Sequence, residues 1–158
     1  MRRQDRQTNK EEALEIIKES LFAVVSAVDE KGQPYSTPVS PVLYRGAIYF
    51  HSAVEGGARS RAIEAHPFVS VAFVARNDIL GSRYSVDYRS ALVRGTCSRV
   101  TDPEEAREAL KALSAHYAPE NDPAATEAYI ASAFDRVTVW KVAVEEISGK
   151  ARNPARGS

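Results

Sequence analysis

The sequence predicts a mainly β domain with flanking helices, an α+β chain whose strands form an antiparallel, closed or half-closed barrel. Three observations predict it. Short Val-rich apolar runs follow one another with only turn residues between them, which excludes βαβ crossovers in the first third of the chain. Helical patterns interrupt at a few fixed places. The strand count is roughly six, a number that with short turns favours a barrel over an open sheet.

The elements read in order as follows. Lys10 to Ser20 has helical spacing, with Asn9 or Thr8 as cap, Glu11 and Glu12 in the positive first turn, and Leu14, Ile17 and Leu21 on one stripe. Leu21 to Val28 is a continuous apolar run ended by Asp29-Glu30-Lys31-Gly32, a buried strand and a turn. Gln33 to Ser40 is extended because Pro34 and Pro38 forbid a helix. Pro41 to Tyr44, Arg45-Gly46 and Ala47 to His51 read as a hairpin that continues a meander. Glu55-Gly56-Gly57 breaks the chain before a short helix, Ala58 to Ala65, stopped by Pro67. Phe68 to Val74 is the next strand, and Tyr84 to Val100 a long one in which Gly95 marks a bulge or bend.

Asp102 or Thr101 caps a helix with Pro103 at its first position and a stripe of Ala106, Leu110, Leu113 and Tyr117. Asn121-Asp122-Pro123 opens another that runs to about Ser132, with Ala125, Tyr129, Ile130 and Ala133 expected inward. Arg136 to Ile147 alternates as a two-faced strand with Trp140 on the apolar face. Gly149 onward reads as a basic tail. The domain division is therefore one unit over residues 1–150, with the helical insertion at 102–134, and a flexible basic tail at 151–158.

The 158 residues suit one domain, and 21 Lys+Arg against 21 Asp+Glu leave no bulk field for nucleic acid or an anionic membrane. A single Cys97 excludes an internal disulfide, and no apolar run approaches a membrane span. The basic start carries no signal core, so a cytoplasmic location is expected. No GxSxG, HExxH, CxxC or Walker motif is present, and His51, His66 and His116 lack metal-ligand spacing, so no metal site is expected. Cys97 reads as a small strand residue.

One stretch carries chemistry: Tyr49-Phe50-His51-Ser52-Ala53-Val54-Glu55-Gly56-Gly57-Ala58-Arg59-Ser60-Arg61. A strand ends, glycines allow close backbone approach, and a helix starts with two arginines. Helix-start N–H groups favour an anion, and Arg59 can grip a phosphate with paired donors. Solvated arginines on a loop are the competing reading.

The run YFHSAVEGGARSRAIEAHPFVSVAF resembles the phosphate-binding segment of the pyridoxamine 5′-phosphate oxidase-like, FMN-binding split-barrel family, nearest its nitroimidazole-reductase-like branch. LFAVVSAVDEKGQPYSTPVSPVLYRGAIYFHS, YRSALVRGTCSRV and VWKVAVEEISGKAR match in the same order, so the resemblance spans Arg2 to Arg152. It implies a six-stranded split barrel, a homodimer with FMN at the subunit interface, and a flavin-dependent reductase or oxidase of a small molecule, with a nitroaromatic or quinone-like acceptor and transient NAD(P)H.

By position, the resemblance places Arg59 on the FMN phosphate, with Ala58 and Ser60 beside it, and His51, Ser52 and Ala53 at the strand end by the phosphate and ribityl chain. Thr37, Pro38, Val39 and Ser40 match the strand that edges the isoalloxazine. Ser90, next to Arg89, matches a position near the ring, and Trp140 approaches the flavin from the other subunit. The catalytic residues stay unassigned. Two departures matter. The family's Glu-Gly-x-Lys loop is Glu55-Gly56-Gly57-Ala58-Arg59 here, one residue longer. The Arg-rich C-terminal motif of true pyridoxamine phosphate oxidases is replaced by Val142-Ala143-Val144-Glu145-Glu146-Ile147, which argues against vitamin B6 oxidation. The alternatives are a non-catalytic FMN-binding or redox-sensing protein, and the same fold holding haem or a deazaflavin.

Overall fold

The computed structural model describes residues 4–152. Its strands and helices follow the order β1 (Gln7–Thr8), α1 (Lys10–Glu19), β2 (Ala23–Val28), β3 (Pro34–Val39), β4 (Val42–Tyr44), β5 (Ala47–Ala53), α2 (Ala58–Ala65), β6 (Phe68–Leu80), β7 (Ser85–Arg99), α3 (Pro103–Tyr117), α4 (Pro123–Ala133) and β8 (Val137–Arg152). Three helices start on capping side chains within the segments that the sequence marks as helix starts, and of the paired candidates Asn9 and Asp102 are the caps. Asn9 accepts from the Glu12 N–H (2.8 Å), Asp102 from Glu104 (3.0 Å) and Asp122 from Ala125 (2.9 Å).

All pairings are antiparallel, in the order β3-β2-β6-β7-β8-β5-β4, with β1 beside β8. The sheet is not closed: β3 and β4 are its two edges. Yet only Ser40 and Pro41 join them, and so short a link spans about 10 Å at full stretch. The sheet must therefore curl until its edges converge there, which makes a split barrel with the seam between β3 and β4. The expected meander is corrected at this point. β2–β3 and β4–β5 are hairpins, but β3 does not pair with β4 along the sheet path. Pro34 and Pro38 are tolerated because β3 is an edge strand and has one side free of ladder bonds.

The barrel interior holds the main core, including Val25, Ile48, Phe50, Val71, Phe73, Val93, Trp140 and Val142. Ile16 and Ile17 of α1 and Ile63 of α2 join this core, so these helices plug the barrel. A second core lies outside it, where Ala106, Ala109 and Leu113 of α3 pack on Val42, Tyr49 and Val139. β8 thus serves both cores by alternation, as expected, with Trp140 inside and Val139 outside. The expected bulge is also present: the β7–β8 register shifts between Arg94 and Gly95. A Cβ at Gly95 would stand 1.9 Å from the Ala143 carbonyl oxygen, so the strands approach there only because position 95 has no side chain.

Several expectations are corrected. The described residues form eight strands where roughly six were expected: the seven extended runs read from the sequence are present, and a two-residue β1 is added beside β8. β6 continues to Leu80 rather than stopping at Val74, paired with β7 throughout. Leu21 leaves the α1 stripe and is 69% exposed, since the chain turns out at Ser20; Ala13, Ile16 and Ile17 form the buried stripe instead. On α4 only Ile130 is buried, whereas Ala125 and Tyr129 are exposed, because α4 packs on α3 rather than on the sheet. The basic tail expected from Gly149 is strand to Arg152: Gly149 pairs with Thr8 and Ala91, and Lys150 with Ser90. Residues 153–158 of that tail lie outside the described residues. No described helix is long and apolar enough to cross a membrane.

Candidate functional site

The site is built where β5 runs out into α2, beside the seam. Along β5, side chains alternate. Ile48 and Phe50 point into the barrel; Tyr49 packs outward against α3. His51 follows Tyr49 on the outer side, where it lines a cleft with α3 and α4. Ser52 follows Phe50, and its hydroxyl accepts from the indole N–H of Trp140 at 3.0 Å while lying 3.2 Å from the Ala53 carbonyl.

After β5 the chain turns at Gly56, whose φ of 68° is left-handed. A side chain there would also press on Ser60 at 3.4 Å. Gly57 then caps α2 without any side-chain hydrogen bond, which leaves the first-turn N–H groups directed at the loop. From this first turn Arg59 folds back over the Phe50 ring, 5.5 Å to the centroid, and donates through an Nη to the His51 carbonyl at 3.4 Å. Its Nε is buried with no hydrogen-bond partner. Among the described residues Arg59 makes no ion pair.

Burial pushes the Arg59 guanidinium below its ordinary range, against smaller raising effects from Tyr35 and Cys97. A half-buried cation without a counter-ion is an unfavourable arrangement that an incoming anion would relieve. Cys97 is the reverse case. Burial pushes its thiol up to about 12 despite Arg59, so it stays a thiol at neutral pH, in line with its reading as a small strand residue.

Burial first and the Arg59 charge second push the His51 imidazole below 6.5. It is therefore neutral at pH 7. The unfolded chain would take up that proton at higher pH than the fold does, so His51 lowers stability as pH falls below its unfolded value. An NMR titration should place the His51 midpoint below 6.5, and Arg59→Ala should move it upward. A midpoint at or above the ordinary value contradicts this geometry.

The outer cleft measures about 600 Å³. Leu110, Leu113, Tyr117, Ile130 and Val137 are among the residues of its wall, as are His51 and Ser40. The Tyr117 hydroxyl donates to the Pro41 carbonyl at 2.8 Å, which ties α3 to the link across the seam. Burial pushes this phenol up to about 12, against a smaller lowering by Ser40.

The structure brings together His51, Ser52, Ala53, Ala58, Arg59 and Ser60, and Ser40 lines the cleft with His51. Ser60 is 4% exposed, so its hydroxyl lies under the turn rather than on its surface. Thr37, Pro38 and Val39 lie on β3, which packs near α2; Val39 is buried, and as part of an edge strand these residues offer backbone rather than side chains. Trp140 is 1% exposed inside the barrel, where it positions Ser52 and packs the core. Ser90 is not brought to the site within one chain. Cys97 lies beside Arg59, and Ser90 stands about 20 Å further along β7 at the ~3.3 Å rise of a strand. Sequence reasoning missed Phe50 as the platform for Arg59 and the α3–α4 wall of the cleft. The period-two alternation of β5 held the first signal; nothing local held the second.

Comparison with known proteins agrees with this architecture. The model of the family described as pyridoxamine 5′-phosphate oxidase matches residues 9–151. No curated protein matches the chain. Among solved structures, a candidate 5-nitroimidazole antibiotic resistance protein of Bacteroides thetaiotaomicron is 26% identical, with a TM-score of 0.71 over 90% of this chain and 83% of that one. A FAD-binding protein of Mesorhizobium loti is 18% identical, with a TM-score of 0.67 over 94% and 98%. A FAD- and haem-binding protein of Mycobacterium smegmatis is 20% identical, with a TM-score of 0.72 over 94% and 74%. The last two likenesses are of fold.

Proposed function

Because the chain belongs to the pyridoxamine 5′-phosphate oxidase family, we propose that it binds FMN and acts as a flavin-dependent reductase or oxidase of a small molecule. The observation that carries this reading is Arg59: a half-buried guanidinium, its Nε without a partner, set at the uncapped start of α2. Both features suit a phosphate dianion, which would accept from the guanidinium fork and from the helix N–H groups together. Gly56 and Gly57 leave the turn open to close approach, since a Cβ at Gly57 would meet only open space.

The bound flavin supplies the hydride and electron chemistry. The protein's part is to anchor and orient. Arg59 and the α2 start hold the phosphate. Ser52, fixed by Trp140, would offer its hydroxyl to the ribityl chain. The free edge of β3 at Thr37–Val39 presents main-chain groups to the ring. No side-chain acid or base is assigned to the reaction, and reduced nicotinamide nucleotide passes transiently as donor. Pyridoxamine phosphate oxidation is not supported: Val142 is core, while Glu145 and Glu146 bond Thr96 and Arg94, so the described stretch 142–147 offers no basic grip for a substrate phosphate.

The assembly is a homodimer. The outer face of β2, β3, β6 and β7 carries none of the four helices, which plug the barrel or pack on the β4–β5–β8 side. Phe22, Val74 and Leu92 are exposed there at 51, 40 and 40%. A second copy on this face would bring Ser90 to a site that one chain keeps it from.

The test is the absorption spectrum of freshly purified protein, with and without added FMN. A flavin spectrum that bleaches with NAD(P)H and returns with a nitroaromatic or quinone supports the reading. A haem Soret band, or FMN that stays free at micromolar protein, rejects it.

A further inference from the structure

The two faces of β5 separate two chemistries. On the Phe50 face lies the charged one, Arg59. On the His51 face lies the cleft of about 600 Å³, within the size range of small-ligand pockets. Its wall is mainly apolar, with Ser40, His51, Ser114, Asn121, Asp122 and Thr126 as its polar members, and none of its lining residues is Lys or Arg. Its one carboxylate, Asp122, caps α4 by accepting from Ala125 at 2.9 Å and would oppose an anion. His51 is neutral there at pH 7. Tyr129, 71% exposed, stands at the rim, a large apolar surface that α4 leaves uncovered.

We propose that this cleft is the acceptor-binding site and that it takes an uncharged, largely apolar aromatic molecule rather than a phosphorylated or carboxylated one. The proposal rests on the flavin reading only for the word acceptor; the selection against anions rests on the cleft. Continuity supports the assignment. Ser40 and His51 line the cleft and also flank the β3 edge and the β5 end, so an occupant would touch the region given to the flavin. The Tyr117 hydroxyl is committed to Pro41, and it therefore braces the wall rather than serving as a proton donor. The polar groups left to orient a ligand are uncharged at neutral pH: the His51 imidazole, the hydroxyls of Ser40, Ser114 and Thr126, and the Asn121 amide, which suit a carbonyl or nitro oxygen.

The probes are menadione and 1,4-naphthoquinone-2-sulfonate, the same ring system without and with a negative charge. Binding is measured by amide and methyl NMR shifts on the full chain, both flavin-free and loaded with FMN. Menadione should shift Leu113, Tyr117, Ile130 and His51, and should bind about tenfold or more tightly than the sulfonate. Thr126→Arg, which adds a cation to the half-buried rim, should narrow that ratio at least about threefold. Equal or tighter binding of the sulfonate, shifts confined to other surfaces, or no binding of either at about 1 mM overturns the proposal. Menadione in the cleft of a protein that never takes FMN would leave this inference standing and remove the flavin reading. FMN binding with an untouched cleft would do the opposite.

Discussion

Arg59→Ala should lower the affinity for FMN by about 10- to 100-fold while the protein keeps its fold. The size follows from losing charge-assisted hydrogen bonds, about 1.5–3 kcal/mol, with 1.4 kcal/mol equal to a factor of ten. The fold should survive because Arg59 makes one long bond to a main-chain oxygen, 3.4 Å, and holds no carboxylate among the described residues. Removing a half-buried cation with an unpartnered Nε also removes a desolvation cost, so the flavin-free variant should melt no lower than the parent. Arg59→Lys keeps the charge and loses the fork, and should fall between the two. Fluorescence quenching titrations and thermal melts check the pair. Unchanged FMN affinity in Arg59→Ala would take the phosphate away from the α2 turn.

Trp140→Ala carries the largest stability effect. Among the described residues Trp140 is the largest fully buried side chain, 1% exposed, inside the barrel. Its ring packs under Arg99, whose guanidinium lies 5.2 Å from the centroid, and its N–H holds Ser52 at 3.0 Å. Truncation should cost about 3–5 kcal/mol, a large share of the ~5–15 kcal/mol that holds a domain folded. The melting temperature should drop by about 6–20 °C. Trp140→Phe keeps most of the packing and loses the bond to Ser52, so it should recover most of that drop. It should also weaken FMN binding modestly through a freed Ser52. A Trp140→Ala variant that melts with the parent would contradict the placement of this ring in the core.

The fold was legible wherever its signal was local. The alternation over 137–144 placed Trp140 and Val142 inside and Val139 outside because a strand between two cores needs apolar residues of both parities. The caps at Asn9, Asp102 and Asp122 were readable because each satisfies orphan N–H groups two or three residues on. Gly95 announced its bulge. What was not legible depended on distant partners. Gly149 to Arg152 looked like a tail because its polar, basic letters carry no apolar run. Pairing with Thr8 and with residues 88–91 makes it strand, and no local pattern records that. The seam was hidden for the same reason, since Val39 and Val42 sit three residues apart in sequence but on opposite edges of the sheet.

Of the candidate site, the loop 55–59 and its neighbours were legible, because a strand end, glycines and a basic helix start are contiguous. The cleft was not, because its wall comes from α3 and α4. Tyr129 was expected to face inward by spacing. It is exposed because α4 rests on another helix and not on the sheet. Ser90 was assigned by likeness alone, and it stands about 20 Å along β7 from Cys97, the neighbour of Arg59.

The phosphate of FMN isolates the role proposed for the α2 turn. Riboflavin has the same ring and ribityl chain without that phosphate, so paired titrations of the two ligands isolate the turn's contribution. FMN should bind at least about tenfold more tightly than riboflavin to the parent protein, and Arg59→Ala should bring the two affinities together. Equal affinities for FMN and riboflavin in the parent protein would contradict the account.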